Sequence, residues 1–349
     1  MSQDQVRRYG LIGAGRMGQE HIRSLAFVEG AQLVAIAEPN DRPMNQTFET
    51  LKSSPFKPAI YSEWRDMIAA AQLDAVILAT PSFVHHDMLV DLMASDLAIM
   101  VEAPLCSSLK QAQSIVKLAE ARQALTHVGL TYRYMPPVAR FLERLRAGEA
   151  GTPIMLTIRE HRGAPAPLTD APIGGTFIEI CSHFFDLMRT ALKDEPVRIF
   201  ASAGRGVTSP DESFDKVAPD ILDNAMVIID FSKGARAHLD FCMFAEGAEQ
   251  REDISAIGEI GKLEVQVPAG IVTYSPRDGS GSERETVGVE PDIQAAGQHH
   301  GATVFHLRDF HRALTVGAPA PVQAQDGLRS IEMALAAQQS VTTGKAVTL

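Results

Sequence analysis

A chain of 349 residues with 45% hydrophobic and 21% charged side chains carries enough apolar material for two globular cores. Its 32 basic and 43 acidic residues leave a net charge of −11, which argues against nucleic-acid and anionic-membrane partners, and no apolar run is long enough for a bilayer span. Cys106, Cys181 and Cys242 are odd in number and far apart, so they suggest neither a disulfide framework nor a zinc pattern, and a reducing, cytoplasmic setting is expected.

Arg7-Arg8 faintly resembles an export start, but the apolar stretch behind it is cut at Arg16 and Glu20. From there to about residue 125 short apolar runs alternate with helix-length amphipathic stretches. The runs are Tyr9–Ile12, Leu33–Ala37, Ala75–Ala79 and Ala98–Val101, with Thr126–Leu130 following. The stretches between them are Met17–Phe27, Glu63–Ala71, His85–Ala94 and Leu109–Ala121. Continuous apolar strands separated by helices predict a doubly wound parallel sheet covered on both faces, a Rossmann-type α/β domain over residues 1–130. Beyond it the pattern changes. A helix over Val138–Arg146 leads to a strand at Ile154–Glu160, a Pro- and Gly-rich loop from His161 to Gly175, and one apolar helix, Phe177–Leu192. Strands then dominate, with a hairpin joining Ala225–Phe231 to Arg236–Phe244 and another Gly turn between Glu252–Ile257 and Lys262–Val267. Ser275–Ser282 reads as a surface loop, and helices at Val304–Leu314 and Gly327–Thr342 close the chain. Residues 131–349 are thus expected to form an α+β domain with a largely antiparallel sheet.

The chemistry-bearing signal is Gly13-Ala14-Gly15-Arg16-Met17-Gly18, set between a strand and a helix, with the acid Glu38 ending the next strand. In such a loop Gly13 makes the tight turn, Gly15 admits a pyrophosphate, and Gly18 permits close packing of helix on strand. The helix N-terminus offers amide groups to the phosphates, and Glu38 is positioned to accept hydrogen bonds from a ribose. A carboxylate there repels a 2′-phosphate, so NAD is expected over NADP, with Arg42 a nearby counterweight.

At this point the chain resembles the glucose–fructose oxidoreductase and inositol dehydrogenase family (Gfo/Idh/MocA). Besides the glycine loop, the resemblance rests on Thr80-Pro81-Ser82-Phe83-Val84-His85 and on Glu102-Ala103-Pro104. It rests also on Gly174-Gly175-Thr176-Phe177-Ile178-Glu179-Ile180-Cys181-Ser182-His183, on Asp326-Gly327-Leu328-Arg329 and on Thr343-Gly344-Lys345. It implies hydride transfer between NAD(P) and a hydroxyl-bearing carbon of a sugar, sugar acid or cyclic polyol. It implies contributions to the cofactor site from Thr80, Pro81, His85 and Glu102, with His183 as acid/base and Glu179 beside it. It also implies a homodimer or homotetramer built through the second domain's sheet, whose strand at Asn224–Phe231 is apolar on both alternating faces. The chain departs from the family twice. Ala103 stands where the family has a lysine that positions and activates the reacting hydroxyl, and Glu179 replaces the usual aspartate. Three explanations stay open for Ala103: a deliberate knockout, a relative without redox turnover, or a chemistry that relies on histidine alone.

Glu179 and His183 are four apart, which on a helix puts them on one face, and Asp186 is an alternative partner for the imidazole. The competing reading of this pair is a polar cap at a buried helix start. Tyr132, Arg133 and Tyr134 follow the last strand of the first domain and either line a substrate pocket or pack a seam. His161 and Arg162, entering the loop, are further candidates for substrate contact. His299, His300, His306 and His311 invite a metal reading, but the five-residue step from His306 to His311 misses the face needed for joint coordination, so no metal is expected. Two alternatives to a net dehydrogenase remain: transient use of bound NAD for elimination or hydrolysis, and a non-catalytic dinucleotide-binding protein.

Overall fold

The structure is a computed structural model, and it describes residues 6–163, 175–207, 222–297 and 299–349. The chain divides into two compact units, one of residues 1–134 with 289–328, the other of residues 135–288 with 329–349.

In the first unit, β1 (Arg7–Ile12), β2 (Ala31–Ala37), β3 (Ala59–Tyr61), β4 (Ala75–Leu78), β5 (Ala98–Glu102) and β6 (Thr126–Gly129) form a parallel sheet in the order β3-β2-β1-β4-β5-β6. The linking helices are α1 (Arg16–Leu25), α2 (Asp41–Lys52), α3 (Trp64–Ala70), α4 (Ser82–Leu92) and α5 (Leu109–Ala121). Strands β4 and β5 are buried at every position, as expected of strands covered on both faces. Two elements carry no clear sequence pattern. Helix α2 buries only Met44 and Thr47 and holds Pro43 in its first turn, where proline is tolerated. Strand β3 has just three residues, none of them buried.

The first unit also takes a late segment of the chain, which holds α8 (Pro291–Ala296) and α9 (Ala302–Val316). Leu307 and Phe310 of α9 join one core with Tyr9, Leu11, Ile36, Ile77 and Met100. The Tyr9 hydroxyl meets His311 Nδ1 at 2.9 Å, Thr303 Oγ1 donates to Glu20 at 2.6 Å, and Arg23 Nε donates to the Ala296 carbonyl at 2.9 Å.

The second unit is built on a nine-stranded sheet, in the order β14-β13-β12-β11-β7-β10-β9-β8-β15 among the described residues. Its members are β7 (Pro153–His161), β8 (Pro196–Gly204), β9 (Asn224–Phe231), β10 (Arg236–Cys242), β11 (Glu252–Gly258), β12 (Gly261–Val267), β13 (Ile271–Pro276), β14 (Glu283–Thr286) and β15 (Val347–Thr348). Among the described residues, only the β7–β10 pairing is parallel. Of the segment expected as a surface loop, Ser275 and Pro276 end β13, and residues 277–282 form the exposed turn into β14. The unit's helices are α6 (Pro136–Arg146) and α7 (Ser182–Leu192), with α10 (Ala324–Thr343) shared between the units. In β9, Ala225, Val227, Ile229 and Phe231 are buried, whereas Met226 and Ile228 are 60% and 51% exposed. Phe200 and Met155 add to the exposed apolar side chains of this sheet.

The apolar helix expected over 177–192 is not one regular helix. It opens with a π-helical turn, Phe177–Cys181, and continues as α7. Thr176 does not cap it: its hydroxyl is paired with both the amide and the carbonyl of Leu222, each at 2.8 Å.

Two of this unit's buried carboxyl groups face each other across neighbouring strands. Glu160 on β7 and Glu252 on β11 are cross-strand partners, 0% and 1% exposed. Arg251 Nε stands 3.2 Å from Oε1 of each, and Arg162 Nη1 is 3.4 Å from Glu160 Oε1. Burial, the largest cause, raises both carboxyl pKa values, and the negative field of Glu160 raises that of Glu252 further. The pair therefore holds a proton in the folded chain that the unfolded chain has lost. Stability from that proton is complete below the ordinary glutamate range and is lost as pH rises from 4.5 to about 8. Glu252→Gln keeps the volume and removes the titration. In urea unfolding at several pH values, the stability of the native protein relative to Glu252→Gln is expected to fall steadily across that window; parallel curves would refute the shared proton.

Candidate functional site

The glycine loop joins β1 to α1. Gly13 has φ +88°, and a Cβ there would lie 2.7 Å from the Ala79 carbonyl oxygen. At Gly18 a Cβ would come within 2.2 Å of the Gly13 carbonyl oxygen, so any side chain would push α1 off the loop. Around Gly15 the opposite holds. A Cβ there meets nothing within 4 Å, and no side chain caps the α1 N-terminus. This is the open approach that a pyrophosphate needs, with helix amides behind it. Arg16 is exposed and Met17 half-buried at the same rim.

Glu38 lies just past β2 and is buried. Its Oε2 accepts the Ala14 amide at 2.8 Å, and its Oε1 accepts the Asn40 amide and side-chain Nδ2, each at 2.9 Å. The carboxylate is thus fixed against the loop, and Oε2, which accepts one bond, retains lone-pair capacity for a ribose hydroxyl. Arg42 is exposed in the first turn of α2. The residues present therefore fit a dinucleotide whose adenosine end lies at β2.

Past β4, Thr80 is half-buried and Pro81 exposed. His85 is buried, with Nε2 2.9 Å from the Thr80 carbonyl and Nδ1 3.0 Å from that of Pro104, so it braces the loops after β4 and β5. Strand β5 ends at Glu102, which is bonded to His21 of α1. Ala103 follows and is half-buried; Lys110 is exposed on α5.

The residues after β6 pack within the first unit. Tyr132 is buried, its ring 5.0 Å from that of His299, and Arg133 pairs with Asp326 at 3.3 Å. Tyr134 stacks on His306 at 4.5 Å and donates to Asp309 Oδ2 at 3.0 Å. His306 is fully buried against His127, and burial holds both imidazoles neutral, with the pKa of His127 lowered to about 3. The histidine-rich stretch is therefore split: His306 belongs to the core and His311 to Tyr9. Asp326-Gly327 has a packing reason as well, since a Cβ at Gly327 would lie 2.9 Å from Leu105 Cβ.

In the second unit, His161 Nε2 is 3.2 Å from Asp240 Oδ1, and Arg162 is anchored on Glu160. Gly174 and most of the loop from 161 to 175 lie outside the described residues. From Gly175 to Met188 every position is buried except Glu179, Ile180 and His183. One side of the helix start is thus partly open, and it carries the acid and the imidazole. The π-helical turn lies directly ahead of His183, and such turns concentrate at functional sites. Asp186 is buried.

Sequence reasoning misses His21, Glu160 and Glu252. The last two alternate with apolar residues on the inward face of their strands, and that in-register placement of an acid is the signal available for them. His21 has the spacing of a buried helix position, which a pattern of apolar residues alone does not flag.

The known proteins similar to this chain bear on the same two units. Residues 7–130 match the model of an oxidoreductase family with an NAD-binding Rossmann fold, and residues 143–349 match the C-terminal alpha/beta domain of the same family. The rhizopine catabolism protein MocA of Rhizobium meliloti is 28% identical over 95% of this chain and 94% of its own. The scyllo-inositol 2-dehydrogenase (NAD(+)) of Bacillus subtilis is 26% identical over 98% of this chain and 96% of its own. Among solved structures, a myo-inositol 2-dehydrogenase from Lactobacillus plantarum superposes with a TM-score of 0.81 at 21% identity, covering 99% of this chain and 100% of its own. A levoglucosan dehydrogenase in complex with NADH and levoglucosan gives 0.81 at 19% identity, covering 98% and 99%. With a glycine loop shaped for a dinucleotide and both halves of the chain matched, this protein belongs to the Gfo/Idh/MocA family of NAD-binding oxidoreductases.

Proposed function

We propose that this protein is an NAD-dependent dehydrogenase that oxidises a ring hydroxyl of a cyclic polyol or sugar, with the inositols as the first class to test. The observation that carries this reading is the likeness to a scyllo-inositol 2-dehydrogenase (NAD(+)) along 98% of this chain. Bound NAD supplies the hydride acceptor. Gly13, Gly15, Arg16, Met17 and Gly18 hold its phosphates, Glu38 takes the adenosine ribose and disfavours a 2′-phosphate, and Thr80, Pro81 and Glu102 lie along its nicotinamide half. His183 takes the hydroxyl proton as the carbon–hydrogen bond breaks, and Glu179 favours the imidazolium so formed. His161 and Arg162 of the second unit and Tyr132 and Arg133 of the first are the candidates for substrate recognition.

Ala103 bears on rate more than on binding. An ammonium at that position would lower the cost of alkoxide character on the reacting oxygen. Loss of a preorganised charged donor costs roughly 10²–10³ in rate. In a screen of inositols and related polyols with NAD, Ala103→Lys is expected to raise kcat by at least about tenfold. His183→Ala should abolish turnover in either background. An Ala103→Lys protein that binds both ligands and turns over no faster would contradict the assignment.

The exposed apolar residues of the large sheet support a homodimer or homotetramer, since Phe200 on β8 and Met226 and Ile228 on the neighbouring β9 are costly in water. Sedimentation at micromolar concentration is expected to give a multiple of 37.8 kDa; a monomer alone would contradict it.

A further inference from the structure

In the sheet order β3-β2-β1-β4-β5-β6, β1 is the switch point, flanked by β2 on one side and β4 on the other. Glu38 places the adenosine end at β2 and the glycine loop places the phosphates at β1. The nicotinamide half therefore falls over the carboxyl ends of β4 and β5. Strand β5 ends in a carboxylate. Glu102 is 8% exposed, and its Oε1 lies 2.5 Å from His21 Nε2. Its other oxygen lies beside Gly129, where a Cβ would come within 2.7 Å of it, so the neighbouring strand leaves room for the carboxylate only because residue 129 is glycine. His21 itself is 1% exposed, and its Nδ1 is buried with no hydrogen-bond partner. A ring nitrogen that has no acceptor in a dry interior costs least when it carries no proton. With Nδ1 unpartnered, the packing favours the tautomer whose Nε2–H donates to Glu102, and this bond holds the carboxylate at the end of β5. The next residue along the chain, Ala103, brings no cation to offset it.

The nicotinamide ring carries one positive charge when oxidised and none when reduced. We propose that Glu102, fixed by His21 and uncompensated at residue 103, makes this site select the oxidised dinucleotide over the reduced one. Glu102 sets the preference by its charge; His21 is a positioning residue that acts through it. This inference rests on the NAD-binding reading of the glycine loop and is independent of which polyol is oxidised. A negative charge near the ring, in the effective dielectric of such a site, would shift the ratio of the two affinities by about tenfold or more. Tenfold corresponds to about 30 mV in the potential of the bound couple, toward retention of NAD+ and release of NADH. That bias makes the bound oxidised ring a weaker hydride acceptor and eases release of the reduced form.

The test needs binding alone. Calorimetric titration of NAD+ and of NADH into the native protein, Glu102→Gln, Ala103→Lys and His21→Gln gives the ratio Kd(NADH)/Kd(NAD+) for each. Glu102→Gln is expected to lower the ratio by about tenfold, and Ala103→Lys to lower it in the same direction with the His21–Glu102 bond intact. His21→Gln, whose amide still donates to the carboxylate, is expected to hold the ratio within about twofold of the native value. Equal weakening of both forms in Glu102→Gln overturns the proposal, because that is the signature of a merely structural role. An unchanged ratio in Ala103→Lys overturns it independently. Failure of the native protein to bind either dinucleotide would instead remove the cofactor reading on which it rests.

Discussion

At Gly18 the first turn of α1 passes so close to the loop that a single added methyl carbon would lie 2.2 Å from the Gly13 carbonyl oxygen. That approach presses the helix onto the end of β1 and aims its N-terminal amides over the sheet's switch point. Two further features depend on it. Glu38 reaches the Ala14 amide only because the loop is held tight against β2, and Gly15 opens onto free space only because Gly13 and Gly18 have already turned the chain. The same helix carries His21 across to Glu102 at the end of β5. One steric constraint thus sets the glycine loop, the acid that follows β2 and the carboxylate that ends β5. Family membership then connects the geometry to hydride chemistry, because a Rossmann sheet alone hosts many functions.

The second unit manages charge differently. Its sheet buries Glu160 and Glu252 as cross-strand neighbours where apolar residues would pack more cheaply, and it answers them with Arg162 and Arg251. Burial also pushes the thiol of Cys181 upward, and Arg162 and Glu160 are the charged groups that act on it. The cluster therefore lies near the last residue of the π-helical turn, two positions before His183. A proton retained by the carboxyl pair lowers the cost of placing two acids in a dry layer, so this layer is sensitive to pH in a way that an aliphatic one is not.

Much of this was legible in the residues. The parallel sheet shows itself through the unbroken apolar runs of β4 and β5, and the cofactor loop through its glycines and the spacing to Glu38. Other parts were hidden for physical reasons. Helix α2 buries too little to show a stripe, and β3 is too short to show a period. The return of residues 289–328 to the first unit is a long-range event that no local pattern encodes. The π-helical turn is likewise invisible to spacing, since Glu179 and His183 read as a plain i,i+4 pair. The histidine-rich stretch misleads in the opposite sense: composition suggests ligands, whereas His306 fills the core beside His127 and Phe310.

The central claim is that the glycine loop and Glu38 together form a site for NAD. The most direct measurement is a side-by-side titration of the native protein with NAD+ and NADP+ under identical conditions. Saturable binding of NAD+ and weaker binding of NADP+ are expected, because the buried Glu38 carboxylate repels a 2′-phosphate. Tighter binding of NADP+, or no binding of either, would contradict it.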